Sequence, residues 1–151
     1  MYNDALSEMQ NLVGEFTQEY DALMKSTLKN CKHTEIKEDY SPVINYGEHL
    51  EASAFVPKRL MYFFTLLNLS LLHDEVSFPR FLLIDTPDTA GIDDDNLIES
   101  ISKIEQVTKN ENDWNNFQII LTTAINKYPS EFEKAVFLKL EGQKKLLNKR
   151  E

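Results

Sequence analysis

Phe78-Pro79-Arg80-Phe81-Leu82-Leu83-Ile84-Asp85-Thr86-Pro87 is the stretch on which the reading of this chain turns. Phe81, Leu82, Leu83 and Ile84 form an unbroken apolar run that ends on an acid, the pattern of a buried parallel strand. Asp85 then falls at the strand's carboxyl end, where open α/β sheets collect their ligands. Pro87 has no N–H to give to a ladder, so pairing stops there. A second buried strand is expected at 117–121, followed by Thr122 and Thr123. Between the two, Leu97, Ile98, Ile101, Ile104 and Val107 share one face of a helix over 97–109, with residues 93–96 able to cap it. Strand, helix, strand in this order predicts a parallel pair joined by a right-handed crossover.

Working outward, residues 56–73 read as a helix that is apolar nearly all round: Leu60, Met61, Phe63, Phe64, Leu66, Leu67, Leu69, Leu71 and Leu72. Such a helix must be covered on several sides. Pro57 fits its first turn, where the missing N–H would have no partner anyway, and Ser53 is the expected N-cap. Ile36, Tyr40, Val43 and Ile44, with Pro42 and Gly47, suggest one or two short strands and a turn over 34–46. Over 3–30, Leu6, Met9, Val13, Phe16, Tyr20 and Leu23 alternate spacings of three and four. This is the rhythm of a coiled coil, and equally of an amphipathic helix lying on a core. A polar loop with the single Trp114 is expected over 110–116, and a last helical stretch over 130–147.

Composition bounds the function. A chain of 151 residues is one domain or a large piece of one, and 42% hydrophobic content is enough for a sizeable core. A net charge of -9 argues against gripping nucleic acid by bulk electrostatics; Lys144, Lys145, Lys149 and Arg150 read as a solvated end. One cysteine, Cys31, excludes an internal disulfide and fits a cytoplasmic protein. The start Met1-Tyr2-Asn3-Asp4 does not look like a signal peptide, and the apolar patch at 60–72 is too short to span a bilayer. His33, His49 and His73 lack zinc-ligand spacing, and Asp93, Asp94 and Asp95 suit helix capping better than a calcium loop.

A lone carboxylate closing a parallel strand is how P-loop NTPases hold Mg²⁺ beside the phosphates, the Walker B arrangement. The phosphate-cradling loop G-x-x-x-x-G-K-[ST] is absent from the sequence. The chain therefore reads as half of a nucleotide site. Ser53 ahead of a helix bearing Lys58 and Arg59, then Phe81 through Pro87, then Asp88-Thr89-Ala90-Gly91-Ile92-Asp93, come in an order that resembles the C-terminal lobe of an ABC-type ATPase head of the SMC and RecF group. The Asp85-Thr86-Pro87 spelling is similar to an Asp-Ser-Pro form in bacterial SMC-like ATPases, some of them in phage defence. The implied fold class is α/β, the C-terminal half of a P-loop NTPase over 31–151, with 1–30 as the base of a coiled-coil arm or an amphipathic helix.

The resemblance implies a set of roles. Asp85 would hold Mg²⁺, Ser53 would stand near the signature serine that faces the opposite protomer's γ-phosphate, and Gly91 and Asp93 would belong to a D-loop at the dimer seam. Thr122 or Thr123 would occupy the switch position, where the family usually has His. Thr86 stands where the family usually carries the glutamate base, and Asp88 is the nearby acid able to replace it. ATP and Mg²⁺ would bind only the completed head, with the Walker A lobe supplied from the same or another chain. Heads would act as a homodimer, meeting DNA through the whole assembly, in DNA repair or phage defence.

Two rival readings stand beside it. Asp88-Thr89-Ala90-Gly91 and Asn126-Lys127 mimic GTPase motifs, yet Pro129 occupies the place of the guanine-reading Asp. The other rival is a non-catalytic interaction module whose first helix pairs with a partner.

Overall fold

A computed structural model describes residues 2–48, 51–87, 91–109 and 116–140. Three helices and two small sheets follow in the order α1 (Tyr2–Thr27), β1 (Thr34–Ile36), β2 (Pro42–Ile44), α2 (Phe55–Leu72), β3 (Phe81–Asp85), α3 (Asp94–Thr108) and β4 (Gln118–Thr122). Short 3₁₀ segments sit at Asn45–Gly47, Ala52–Ala54 and Ser130–Ala135. No helix among the described residues is long and apolar enough to cross a membrane.

The core forms where α2 meets α1 and α3. Met61, Phe64 and Leu67 of α2 are fully buried, as are Tyr20 and Met24 of α1 and Leu97 of α3. These side chains join one cluster with Leu82 of β3. The i, i+3, i+4 spacing of Tyr20, Leu23 and Met24 puts them on one helix face, which explains why α1 docks by its second half. Its first half does not dock: Leu6 is 38% and Met9 48% exposed, so the apolar stripe runs past the core with nothing described against it. As expected, α2 is covered on several sides, but Phe55, Phe63 and Leu72 reach solvent.

Polar clamps fix the N-terminal layer. Asp21 Oδ1 accepts from the Thr34 amide (2.8 Å) and hydroxyl (3.1 Å), tying α1 to β1. Burial alone would raise the Asp21 pKa, but its bonds to Lys25 and Thr34 outweigh that and hold it below the usual value. β1 and β2 pair antiparallel, with Thr34 opposite Ile44. The buried Asn45 then accepts from the amides of Lys32 and His33 and donates to the Asn30 carbonyl at 2.8 Å. That staple accompanies a left-handed backbone at Asn45 (φ 48°), a conformation Asn tolerates better than most residues.

β3 and β4 pair parallel through the connection that contains α3, in the register Phe81 to Gln118 through Asp85 to Thr122. The strands match their expected positions, but burial does not. Leu82 is 8% exposed, whereas Phe81 (45%), Leu83 (62%) and Ile120 (42%) face solvent. The reason is geometric: successive strand residues point to opposite faces, and the core covers only one face of this two-stranded sheet. Leaving Leu83 that exposed forgoes roughly 1–2 kcal/mol of burial.

Two further expectations change. The N-cap of α2 is Ala54, in αR conformation with no side-chain cap bond, because Ser53 lies inside the preceding 3₁₀ turn. The last helical stretch is a single 3₁₀ segment, Ser130–Ala135, followed by irregular chain to 140. Its sequence offers only Phe132 to pack on the core, and Phe137 is 99% exposed, so no apolar face holds an α-helix there. Residues 141–147 of that expected helix lie outside the described residues.

Candidate functional site

The carboxyl ends of β3 and β4 bring two of the expected residues into contact. Because Asp85 and Thr122 are register partners, the Thr122 hydroxyl reaches Asp85 Oδ1 and donates to it. The same hydroxyl accepts from the Thr86 amide (3.1 Å), which also donates to the Thr122 carbonyl at 2.9 Å. Among the described residues, Asp85 Oδ2 carries no donor, and the Asp85 side chain is open to solvent. Thr86 follows with φ 40°, a left-handed backbone that costs a β-branched residue on the order of 1–3 kcal/mol. The strand ends at Asp85, and the buried Pro87 follows Thr86.

Gly91, Asp93 and Ser53 belong to other segments of the chain. Gly91 has φ +79°, where a side chain would be strained. Asp93 is the N-cap of α3: its carboxylate accepts from the Asn96 amide at 2.9 Å and from the Asn96 side chain at 2.6 Å. These bonds, the backbone one foremost, hold the Asp93 carboxyl below the ordinary aspartate value. Lys127, in the turn after β4, pairs with Asp94 at the start of α3. Thr123 is half-buried just past the strand. Ser53 precedes α2 by one turn and is not among the residues lining the groove beside β3. Asp88, with Thr89 and Ala90, lies outside the described residues.

Sequence reasoning missed the groove that flanks Asp85. It has a volume of about 820 Å³ and runs between the first half of α2 and β3. Phe55, Phe63 and Leu83 give it apolar walls, and Lys58, Arg59, Asp85 and Thr86 give it polar ones. Lys58 and Arg59 form no ion pair with a described residue. The signal was present only in part: the helical spacing of Phe55, Arg59 and Phe63 marks one face of α2, but four consecutive apolar residues in β3 hide which of them faces outward.

The donor set at Asp85 is one carboxylate and one hydroxyl, all hard oxygen. Among the described residues no group of three or more His, Cys, Asp or Glu gathers to cage a metal. Such a set suits a Mg²⁺ ion that keeps most of its waters and takes its remaining ligands from a phosphate. No protein-family model, curated protein or solved structure matches this chain.

Proposed function

We propose that this chain is the C-terminal lobe of an SMC/RecF-like ABC-type ATPase head, contributing the Walker B half of a nucleotide site. The observation that carries the reading is the Asp85–Thr122 pair at the carboxyl end of the two-stranded parallel sheet. All-parallel sheets ordinarily have both faces covered, and two strands alone seldom stand in water. The exposed Ile120 on β4 is a matching sign that a further layer belongs against that part of the sheet.

In the completed site Asp85 holds Mg²⁺, directly or through water, and Thr122 orients that carboxylate from the switch position. Bound Mg²⁺ would neutralise charge on the phosphates. Thr86 cannot take a proton from water at neutral pH, so the base is Asp88 or a residue of the other lobe. The exposed N-terminal half of α1 is the base of a coiled-coil arm in this reading. Nucleotide binding between two heads then drives a DNA-related conformational change through the whole assembly. The protein is assigned to the cytoplasm on its single free cysteine.

The test is Mg·ATP titration by calorimetry. The chain alone should bind weakly, with Kd above about 1 mM, because it contributes no phosphate-cradling loop. Added to the Walker A lobe with which it assembles in the cell, it should yield a site that Asp85→Ala weakens at least tenfold. Low-micromolar affinity for the chain alone would refute the half-site, and indifference to Asp85→Ala in the assembly would favour a non-catalytic interaction module.

A further inference from the structure

We propose that the groove between α2 and β3 receives an extended peptide strand from a partner polypeptide, apolar at alternate positions and carrying an acidic residue for Lys58 and Arg59. The inference goes beyond the nucleotide reading and stands without it.

The backbone of β3 supplies the first argument. The Gln118 amide donates to the Arg80 carbonyl (2.8 Å) and the Thr86 amide to the Thr122 carbonyl (2.9 Å), so alternate residues 80, 82, 84 and 86 turn their polar groups toward β4. In a parallel ladder a residue's N–H and C=O point the same way, so those of Phe81, Leu83 and Asp85 point to the open edge. Among the described residues nothing pairs with that row; such a row is a template for another strand, whereas a docked helix would leave it unsatisfied.

Side chains supply the second argument. Phe81, Leu83, Phe55 and Phe63 are between 40% and 62% exposed along this edge and the facing helix. Alternate apolar side chains of an added strand would cover them. Charge supplies the third. In a chain of net charge -9, Lys58 and Arg59 both line the groove without an ion pair to any described residue and outnumber its one lining carboxylate, Asp85. That favours a segment that places an acid at this point of the groove.

The experiment displays random 12-residue peptides against the full chain without nucleotide. Synthetic copies of the enriched peptides are then titrated by fluorescence anisotropy against wild type and variants. Leu83→Pro removes an outward-facing N–H and leaves the β3–β4 bonds in place, which hydrogen exchange at Leu82, Ile84 and Thr86 checks. Leu83→Lys serves as the second variant, because an edge lysine blocks strand addition without a backbone change. The expected result is a consensus with apolar residues at every second position and an Asp or Glu, bound about tenfold more weakly by either variant. Arg59→Glu should weaken binding about fivefold and flatten its salt dependence. The proposal is overturned by no enrichment, by a helical three-four consensus, or by affinities that neither Leu83 variant changes. Slow exchange at Phe81, Leu83 and Asp85 in the chain alone, or a dimer that Leu83→Lys dissolves, would also overturn it, since the edge would then be filled already.

Discussion

Replacing Thr122 by Val exchanges one hydroxyl for a methyl of similar size at the centre of the candidate site. The lost hydroxyl donates to Asp85 Oδ1 and accepts from the Thr86 amide at 3.1 Å. A hydrogen bond to a charged group contributes about 1.5–3 kcal/mol when shielded, and a neutral one about 1 kcal/mol. Here the carboxylate is exposed and water can replace the donor, which cuts the first contribution to a fraction of that value. The Thr86 amide keeps its bond to the Thr122 carbonyl at 2.9 Å, so it is not orphaned. The sum is a loss of about 1 kcal/mol, or about 2–4 °C in Tm for a domain of this size. Urea unfolding of wild type, Thr122→Val, Asp85→Ala and the double variant closes a thermodynamic cycle. Residues in contact should couple by at least about 0.5 kcal/mol. A coupling of zero would refute the pairing of Asp85 with Thr122, and with it the register-based argument for the site.

Other outcomes follow from the same structure. Phe64, fully buried in α2, is expected to cost about 3–5 kcal/mol when replaced by Ala, read as a fall in the urea midpoint at unchanged slope. Asp93→Ala should cost about 1 kcal/mol at pH 7 through loss of the α3 cap. Because the folded Asp93 carboxyl lies below the unfolded value of 3.8, its contribution is full above that pH and fades as pH falls through the folded value. Wild type and Asp93→Ala should therefore converge in stability on acidification below pH 3.8, and a constant gap would contradict the cap. Burial pushes the Cys31 thiol above its usual pKa, so alkylation at pH 8 should run at least about tenfold slower than in urea-unfolded chain. Equal rates would place Cys31 at the surface.

How far the sequence carried depends on the kind of pattern each element presents. β3, α3 and β4 were legible because two apolar runs flank one amphipathic helix, and a parallel pairing of those runs puts Asp85 beside Thr122. The apolar face of α1 was legible for the same reason, since Phe16, Tyr20 and Leu23 repeat with the helical period, but which half docks, and the buried Met24 beside Leu23, were not. Burial was not legible in β3: Phe81-Leu82-Leu83-Ile84 contains no alternation, so only the structure separates buried Leu82 from exposed Leu83. The groove was hidden with it, because it is made by α2 and β3 together. Ser53 misled because capping preference is local, while the 3₁₀ turn at Ala52–Ala54 shifts the cap by one residue. The stretch over 130–140 misled because good helix formers do not make a helix without a face to bury.

The measurement that tests the central claim most directly joins assembly to nucleotide. A C-terminal tag at the native locus captures the chain under native conditions, and mass spectrometry weighs what comes with it. Photo-crosslinkable Mg·ATP then labels the captured assembly from wild type and from Asp85→Ala cells. The account predicts a G-x-x-x-x-G-K-[ST] sequence, in the same polypeptide or a stoichiometric partner, and labelling that falls at least tenfold in the variant. A solitary chain of 17.6 kDa, or labelling that Asp85→Ala leaves unchanged, would contradict it.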